Sequence, residues 1–468
     1  MRTALTTLAT CLLAAAAATA SPTSAWAAGV TKGPWVQRVT ASTAEIRVEV
    51  QPAQPVKVEL EMPTHRVVES TASSLHVIPL DGLEPGSRYA AKLRVGDVER
   101  PFAFTTAPRD DASASFRFIV YGDNRTDDAG HAAVVAAIAR HPTDLLVHSG
   151  DFVENGASKE QWQGFFDVEA PLLRDRCLLS AVGNHELTDG AGTEWVRYFG
   201  PAKPATVDEL ASTHRWGSAR FFMINGMVNY GPGRARSWLE NALKEADSEP
   251  GLVWRIVVVH HSPWSSGPHG NNARLLDAKI PALLRAHKVD LIVAGHDHIY
   301  ERGFADGLAY VISGGGGAPL YRIRSRSPSA RRAESVHHFV EVEATPSALR
   351  LSAERVDGST IERCGLVKES NGATWDCDGE RLEPASSKRP ESDKAREPTG
   401  TQSAPAPPAT EKSAPSTSRC GCRVVGDSAS HEPLALVGGG LGIALLFCRR
   451  RRTRHAILRA CASRPPRS

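Results

Sequence analysis

Two aspartates, one asparagine and a set of histidines recur at the ends of apolar runs in this chain. The segments are Gly122-Asp123-Asn124-Arg125, Gly150-Asp151, Gly183-Asn184-His185-Glu186, His260-His261 and Gly295-His296-Asp297-His298. Carboxylate, carboxamide and imidazole groups together suit borderline metals such as Zn, Fe or Mn, whereas Ca takes oxygen alone. Two ions held side by side by such a set polarise a bound group and activate water for hydrolysis. A lone Asp after a strand commonly caps a helix, and a lone His is commonly structural. The ordered recurrence of six such residues is what points to a dinuclear site.

The segments follow the apolar runs 118–121, 145–148, 178–182, 256–259 and 291–294. An open α/β sheet places its chemistry beyond the carboxyl ends of its strands, so five strand ends are expected to converge on one edge. Helical patterns over 130–140, 159–173, 234–247 and 271–286 alternate with these strands, which predicts a sheet covered by helices. The later strand-like runs 308–313, 337–343 and 349–355 have no long helices between them. They predict a second, partly antiparallel sheet packed on the first, and the catalytic unit is read over 115–380. Ahead of it, residues 30–109 alternate polar and apolar in short runs, the signature of an antiparallel sandwich. The run 80–89 followed by 102–106 resembles the second half of a fibronectin type III or phosphatase N-terminal sandwich, with no catalytic constellation of its own.

The ends of the 468-residue chain carry addresses. Residues 1–28 have a positive start, an apolar core and a small-residue cleavage site, the pattern of a secretory signal. Residues 383–418 are rich in Pro, Ser, Lys and Glu and read as an extended linker. Residues 420–468 hold Cys420-Gly421-Cys422, the short apolar stretch 433–448 and Arg449-Arg450-Arg451-Arg452. The stretch is slightly short for a spanning helix, and the arginines would keep the extreme C-terminus inside. These three features resemble the MYXO-CTERM surface-sorting signal, which implies sorting or processing machinery as a partner and a body left at the cell surface, outer envelope or medium. An ordinary C-terminal anchor is the other reading. Residues 449–468 contain eight Arg and no acid, so the net charge of +3 becomes −5 without them. The basic balance belongs to the tail and gives no reason to expect nucleic-acid binding. Of eight Cys, three lie in the folded body. Cys364 with Cys377 is the plausible disulfide of an exported protein, and Cys177 reads as a core thiol.

The five ordered motifs resemble the calcineurin-like metallophosphoesterases, and the preceding sandwich leans toward their purple acid phosphatase branch. The fold so implied is a two-sheet α/β sandwich flanked by helices, preceded by the all-β domain. The resemblance implies that Asp151 bridges two metals, that Asp123 and His298 complete one site, and that Asn184, His260 and His296 complete the other. His260 and His261 are alternatives for that last strand end. His185 would hydrogen-bond the phosphate or protonate the leaving oxygen, work that suits a pKa near neutrality. His269, on a glycine-rich loop, could face substrate or solvent. The four glycines after Ser313 read as a tight turn near the cleft.

Two positions depart from the family. Arg125 stands where diesterases of the superfamily carry His and purple phosphatases Gly; its fork suits a phosphate. Glu154 stands where purple phosphatases carry an iron-ligating Tyr, so no charge-transfer colour is expected; Glu154 could ligate the first metal or face solvent. The implied reaction is attack of a metal-held hydroxide on a phosphomonoester. A phosphodiesterase or nucleotide hydrolase is the rival within hydrolases. A surface binding protein with a vestigial metal site is the rival of another class, kept open by Arg125 and Glu154.

Overall fold

The computed structural model describes residues 29–200, 210–369, 372–377 and 380–382. The signal, linker and sorting-tail readings lie outside them. Among the described residues no helix is long and apolar enough to cross a membrane.

Five antiparallel strands come first: β1 (Val30–Gln37), β2 (Ala44–Met62), β3 (Arg66–Leu80), β4 (Arg88–Val95) and β5 (Val98–Thr105). They form one connected antiparallel sheet. The reason is the 19-residue β2, whose register against β3 shifts between Glu49 and Val56, so that it pairs with β1 on one side of the break and β4 on the other. Trp35 of β1 is fully buried and packs on Phe166 and Tyr198, with centroids 4.9 and 6.1 Å away. That fixes this sheet against the unit that follows.

The larger unit runs β6 (Phe116–Tyr121), α1 (Asp128–Ile138), β7 (Leu145–His148), α2 (Lys159–Leu173), β8 (Cys177–Ser180), α3 (Thr193–Tyr198), β9 (Ser212–Trp216), β10 (Ala219–Ile224), α4 (Arg234–Asp247) and β11 (Trp254–His261). It continues with α5 (Ala273–Asp277), α6 (Ile280–Ala286), β12 (Leu291–Gly295), β13 (Tyr300–Ala305), β14 (Leu308–Ser313) and β15 (Ala330–Glu334). The last strands are β16 (His338–Ala344), β17 (Ala348–Arg355), β18 (Thr360–Glu369), β19 (Gly372–Cys377) and β20 (Glu380–Leu382).

Two mixed sheets result, in the orders β20-β19-β18-β17-β16-β6-β7-β8 and β15-β13-β14-β12-β11-β10-β9. The motif strands therefore divide: β6, β7 and β8 run parallel in one sheet, β11 and β12 in the other. This corrects the single-edge expectation. Apolar runs buried on both faces look alike in sequence and do not say which sheet they join.

The side-chain alternation builds the layers. Phe118 and Val120 point between the sheets, with Met223, Ile256, Val258 and Val293 from the other side. Ile119 and Tyr121 point outward under α1 and α2, and Val257, Val259 and Ile292 lie under α4 and α6. Asp127 caps α1 by accepting from Ala129 and Gly130 N–H, and Ser158 caps α2 through Gln161 N–H. The helix expected over 271–286 is two pieces, because Lys279 takes a φ of 59° before Pro281 opens α6. Cys364 and Cys377 are paired across β18 and β19 and joined by a disulfide. Cys177 is buried and free, its thiol pushed up to about 12 by burial.

Candidate functional site

The two sheets bring their motif strand ends to one place. Asp151, Asn184 and His296 present Oδ1, Oδ1 and Nδ1 at 3.2, 3.1 and 3.1 Å from His260 Nε2. The ligand atoms of Asp151, His260 and His296 all lie within 4.8 Å of one another. His260 Nδ1 faces the Ser149 carbonyl at 3.0 Å, so with the proton there Nε2 turns its lone pair to the other three. His261 stays outside this group: its Nε2 meets the Gly270 carbonyl at 3.0 Å.

A second half lies beside it. Asp123 Oδ1 is 3.6 Å from His298 Nε2, and both Asp123 oxygens accept from the His296 N–H at 3.0 and 3.1 Å. His298 Nδ1–H donates to the Pro319 carbonyl at 2.7 Å, which leaves Nε2 buried and without a partner. The other oxygen of Asp151, Oδ2, lies 3.3 Å from Arg125 Nε. Arg125 also pairs with Glu154 and reaches the Tyr321 hydroxyl at 3.4 Å. Glu154 is thereby turned to Arg125, its side chain 43% exposed, and does not join the cluster.

His185 N–H donates to Asp151 Oδ1 at 3.1 Å, and its Nδ1–H donates to the Glu154 carbonyl at 2.7 Å. Its Nε2 is then the free atom, 3.8 Å from Asp151 Oδ2. His269 lies at the rim, its ring 4.1 Å from that of His296 and its Nδ1 2.9 Å from Asp297 Oδ1.

The local backbone is built for this crowding. Asp123, Asp151 and His296 have φ of 62°, 57° and 71°, a region that costs an ordinary residue about 1–2 kcal/mol. A Cβ at Gly183 would overlap Asp151 Oδ1, and one at Gly295 would overlap Asp123 Oδ2. The glycine run after Ser313 closes the floor, with Gly316 N–H on the Gly122 carbonyl and Asn124 Nδ2–H on the Gly316 carbonyl.

The electrostatics set buried carboxylates and imidazoles against one another. Burial, with Asp151 adding to it, pushes the Asp123 carboxyl well above its usual range. Burial acts against a charged His260, but Asp151, Asp123 and Glu186 outweigh it and hold the imidazole up at about 9. Burial and then His260 push His296 down, and burial with Arg125 holds His298 at about 4. Converging lone pairs, an orphaned imidazole nitrogen and glycines that leave no spare volume fit metal cations at Asp151, Asn184, His260 and His296, and at Asp123 and His298.

Three residues were not singled out from sequence. Glu186 is fully buried and accepts the N–H groups of Asp151, Phe152 and Gly183 at 2.8–2.9 Å. Asp297 holds His269 and Ser265. Tyr321 stacks on His298, with ring centroids 4.0 Å apart and planes at 11°. The first two sit inside quoted motifs and were legible as neighbours; Tyr321 carries no motif signal.

Residues 116–300 match the calcineurin-like phosphoesterase family. The probable purple acid phosphatase 20 of Arabidopsis thaliana is 24% identical over 253 residues, 51% of this chain and 57% of that protein. The phosphoenolpyruvate phosphatase of Allium cepa is 26% identical over 270 residues, 53% of this chain and 55% of that one. The chain thus spans little more than half the length of these relatives. A solved purple acid phosphatase from yellow lupin (Lupinus luteus) seeds superposes with a TM-score of 0.62 at 19% identity, over 73% of this chain and 75% of that one. The structure of PhoD superposes at 0.57 and 13% identity, over 76% and 91%. The chain carries a calcineurin-like phosphoesterase domain with purple acid phosphatase homologues and structural neighbours.

Proposed function

We propose that this protein is an exported, metal-dependent hydrolase of phosphomonoesters. The observation that carries the reading is the meeting of Asp151, Asn184 and His296 on His260 Nε2 at 3.1–3.2 Å, next to the orphaned Nε2 of His298. Two ions (Fe, Zn or Mn) bound there would polarise the phosphate and lower the pKa of an attacking water. The protein's own groups do the rest. His185, oriented by the Glu154 carbonyl, aims Nε2 into the site to hydrogen-bond a phosphate oxygen or pass a proton to the leaving oxygen. Arg125, fixed by Glu154 and Asp151, places a guanidinium where charge develops on the phosphoryl oxygens. His269 closes the rim under the control of Asp297. Glu186 holds the Asp151 backbone and thus the aim of its carboxylate.

Export is supported by the signal-like start and by the Cys364–Cys377 disulfide, since such bonds persist in oxidising compartments. The surface-sorting tail and the fibronectin-like character of residues 30–109 belong to the same reading. The test supplies the protein with Mn, Zn or Fe and compares an aryl phosphate monoester with its bis-aryl diester. Monoester turnover that Asp151→Asn abolishes supports the proposal. Preference for the diester would make the enzyme a phosphodiesterase instead. A folded, metal-loaded protein inert on both esters would leave the surface binding protein.

A further inference from the structure

Past the glycine turn the chain runs beside the site as an irregular segment that pairs with no sheet, residues 321–326, with a bend at Ser325. Tyr321 and Ile323 are half-buried on the apolar cluster beneath α4 and α6, while Arg322 and the run Arg324-Ser325-Arg326 are exposed. Both ends are tied to the site. Tyr321 N–H donates to the His298 carbonyl at 3.2 Å and its ring stacks on His298. Ser327 N–H donates to Ser266 Oγ at 2.8 Å, in the loop that carries His269.

The charge on this segment is uncompensated. Residues 307–333 contain five Arg and no acid. Arg332 pairs with Glu334 at 3.1 Å, but among the described residues no hydrogen bond or ion pair engages Arg322, Arg324 or Arg326. Three guanidinium groups carried by separate residues suit several separate anionic groups better than a single phosphate. Each guanidinium fork matches a phosphate bidentately, and three like charges side by side raise the local concentration of a polyanion.

We propose that Arg322, Arg324 and Arg326 form a subsite for the additional phosphate groups of a polyphosphorylated small substrate. The inference rests on the phosphoester-hydrolase reading, with the scissile phosphate lying between Asp151 and His298. The segment is then a specificity device: the metal-ligand cluster acts on one phosphate and the strap selects molecules that carry more.

The experiment compares 4-nitrophenyl phosphate, which bears one phosphate, with fructose 1,6-bisphosphate and inositol hexakisphosphate. It uses the wild type and the triple variant Arg322→Gln/Arg324→Gln/Arg326→Gln. The triple variant is expected to raise KM for the hexakisphosphate at least tenfold and for the bisphosphate less, with kcat and all constants for the mono-phosphate within twofold. Replacement of the three by Lys should recover part of the loss, and wild-type KM for the hexakisphosphate should climb with salt. Equal KM values in wild type and triple variant overturn the inference. So does a parallel loss on 4-nitrophenyl phosphate, which would mean that the strap only supports His298. If the wild type turns over no phosphoester, the hydrolase reading fails by itself. Calorimetric binding of inositol hexakisphosphate to the two proteins then still decides the subsite, and equal affinity overturns it. Tighter strap-dependent binding of a single-stranded 20-mer oligonucleotide would overturn it in favour of a nucleic-acid surface.

Discussion

Glu186→Gln removes one carboxylate oxygen from the most densely used acceptor in the site. Glu186 Oε2 accepts the N–H groups of Asp151 (2.9 Å) and Gly183 (2.8 Å), and Oε1 accepts that of Phe152 (2.8 Å). All of this lies in a fully buried position. The single oxygen of Gln can keep the two bonds of Oε2, but its amide NH₂ then faces the Phe152 N–H, donor against donor. The loss is one charge-assisted bond, about 1.5–3 kcal/mol, plus a buried N–H left without an acceptor; with local relaxation the sum is about 3 kcal/mol. Burial and the Asp151 charge push the Glu186 carboxyl up to about 7, so the comparison belongs at pH 8, where it is ionised. For a chain of this size 1 kcal/mol moves Tm by roughly 2 °C, so calorimetry should find a drop of about 6 °C. Zn affinity should fall about 10–100-fold, because Glu186 fixes the backbone that aims Asp151. A variant melting within 1 °C of the wild type, with unchanged Zn affinity, would refute the role assigned to these three bonds.

Three further outcomes follow from the same geometry. Burial, with His337 and Arg355 adding to it, holds the His338 imidazole at about 4, and its Nε2 is buried without a partner. Its folded pKa lies below the unfolded value of ~6.5, so its stabilisation is complete above pH 6.5 and is lost as pH falls toward 4, at most about 3 kcal/mol. His338→Leu should flatten the denaturant midpoint over that window, and parallel slopes for the two proteins would count against it. Cys364→Ser opens a disulfide spanning 13 residues of separation and should cost about 3 kcal/mol in the chain-entropy account, read as a lower Tm matched by wild type under reductant. The iron-loaded protein should be colourless in the visible, since Glu154 replaces the phenolate; a band that disappears in Tyr321→Phe would show that Tyr321 supplies one instead.

Legibility divided along physical lines. The motif strands and the helices read over 130–140, 159–173 and 234–247 were legible because periodicity is local, whereas strands such as β9, β10, β13 and β15 were not read. The membership of β6, β7 and β8 in one sheet and β11 and β12 in the other was not legible either, because pairing partners lie far apart in sequence. The strand-end motifs led to the expectation that their residues converge, and the family resemblance implied the grouping of Asp151, Asn184, His260 and His296, which lie together. Periodicity could not separate His260 from His261. The structure does so through the Ser149 carbonyl that orients one and the Gly270 carbonyl that holds the other. Tyr321 escaped notice because its place over His298 depends on how the chain returns after the glycine turn, which no local pattern encodes.

The strained residues show how the site is held. Asp123, Asp151 and His296 each follow a glycine and each take a left-handed backbone. A strand that continued straight would send these side chains to opposite faces of its sheet. The left-handed step turns them into the space between the strand ends. Each turn is then fastened by a partner from another motif: Asp123 by the His296 N–H, Asp151 by the His185 N–H and by Glu186. The motifs therefore hold one another, and the strain of about 1–2 kcal/mol per residue is offset by hydrogen bonds between segments far apart in sequence. This explains why the motifs are useful only as a set. One of them alone would relax to an ordinary turn, whereas the five together bring the ligand side chains to one place.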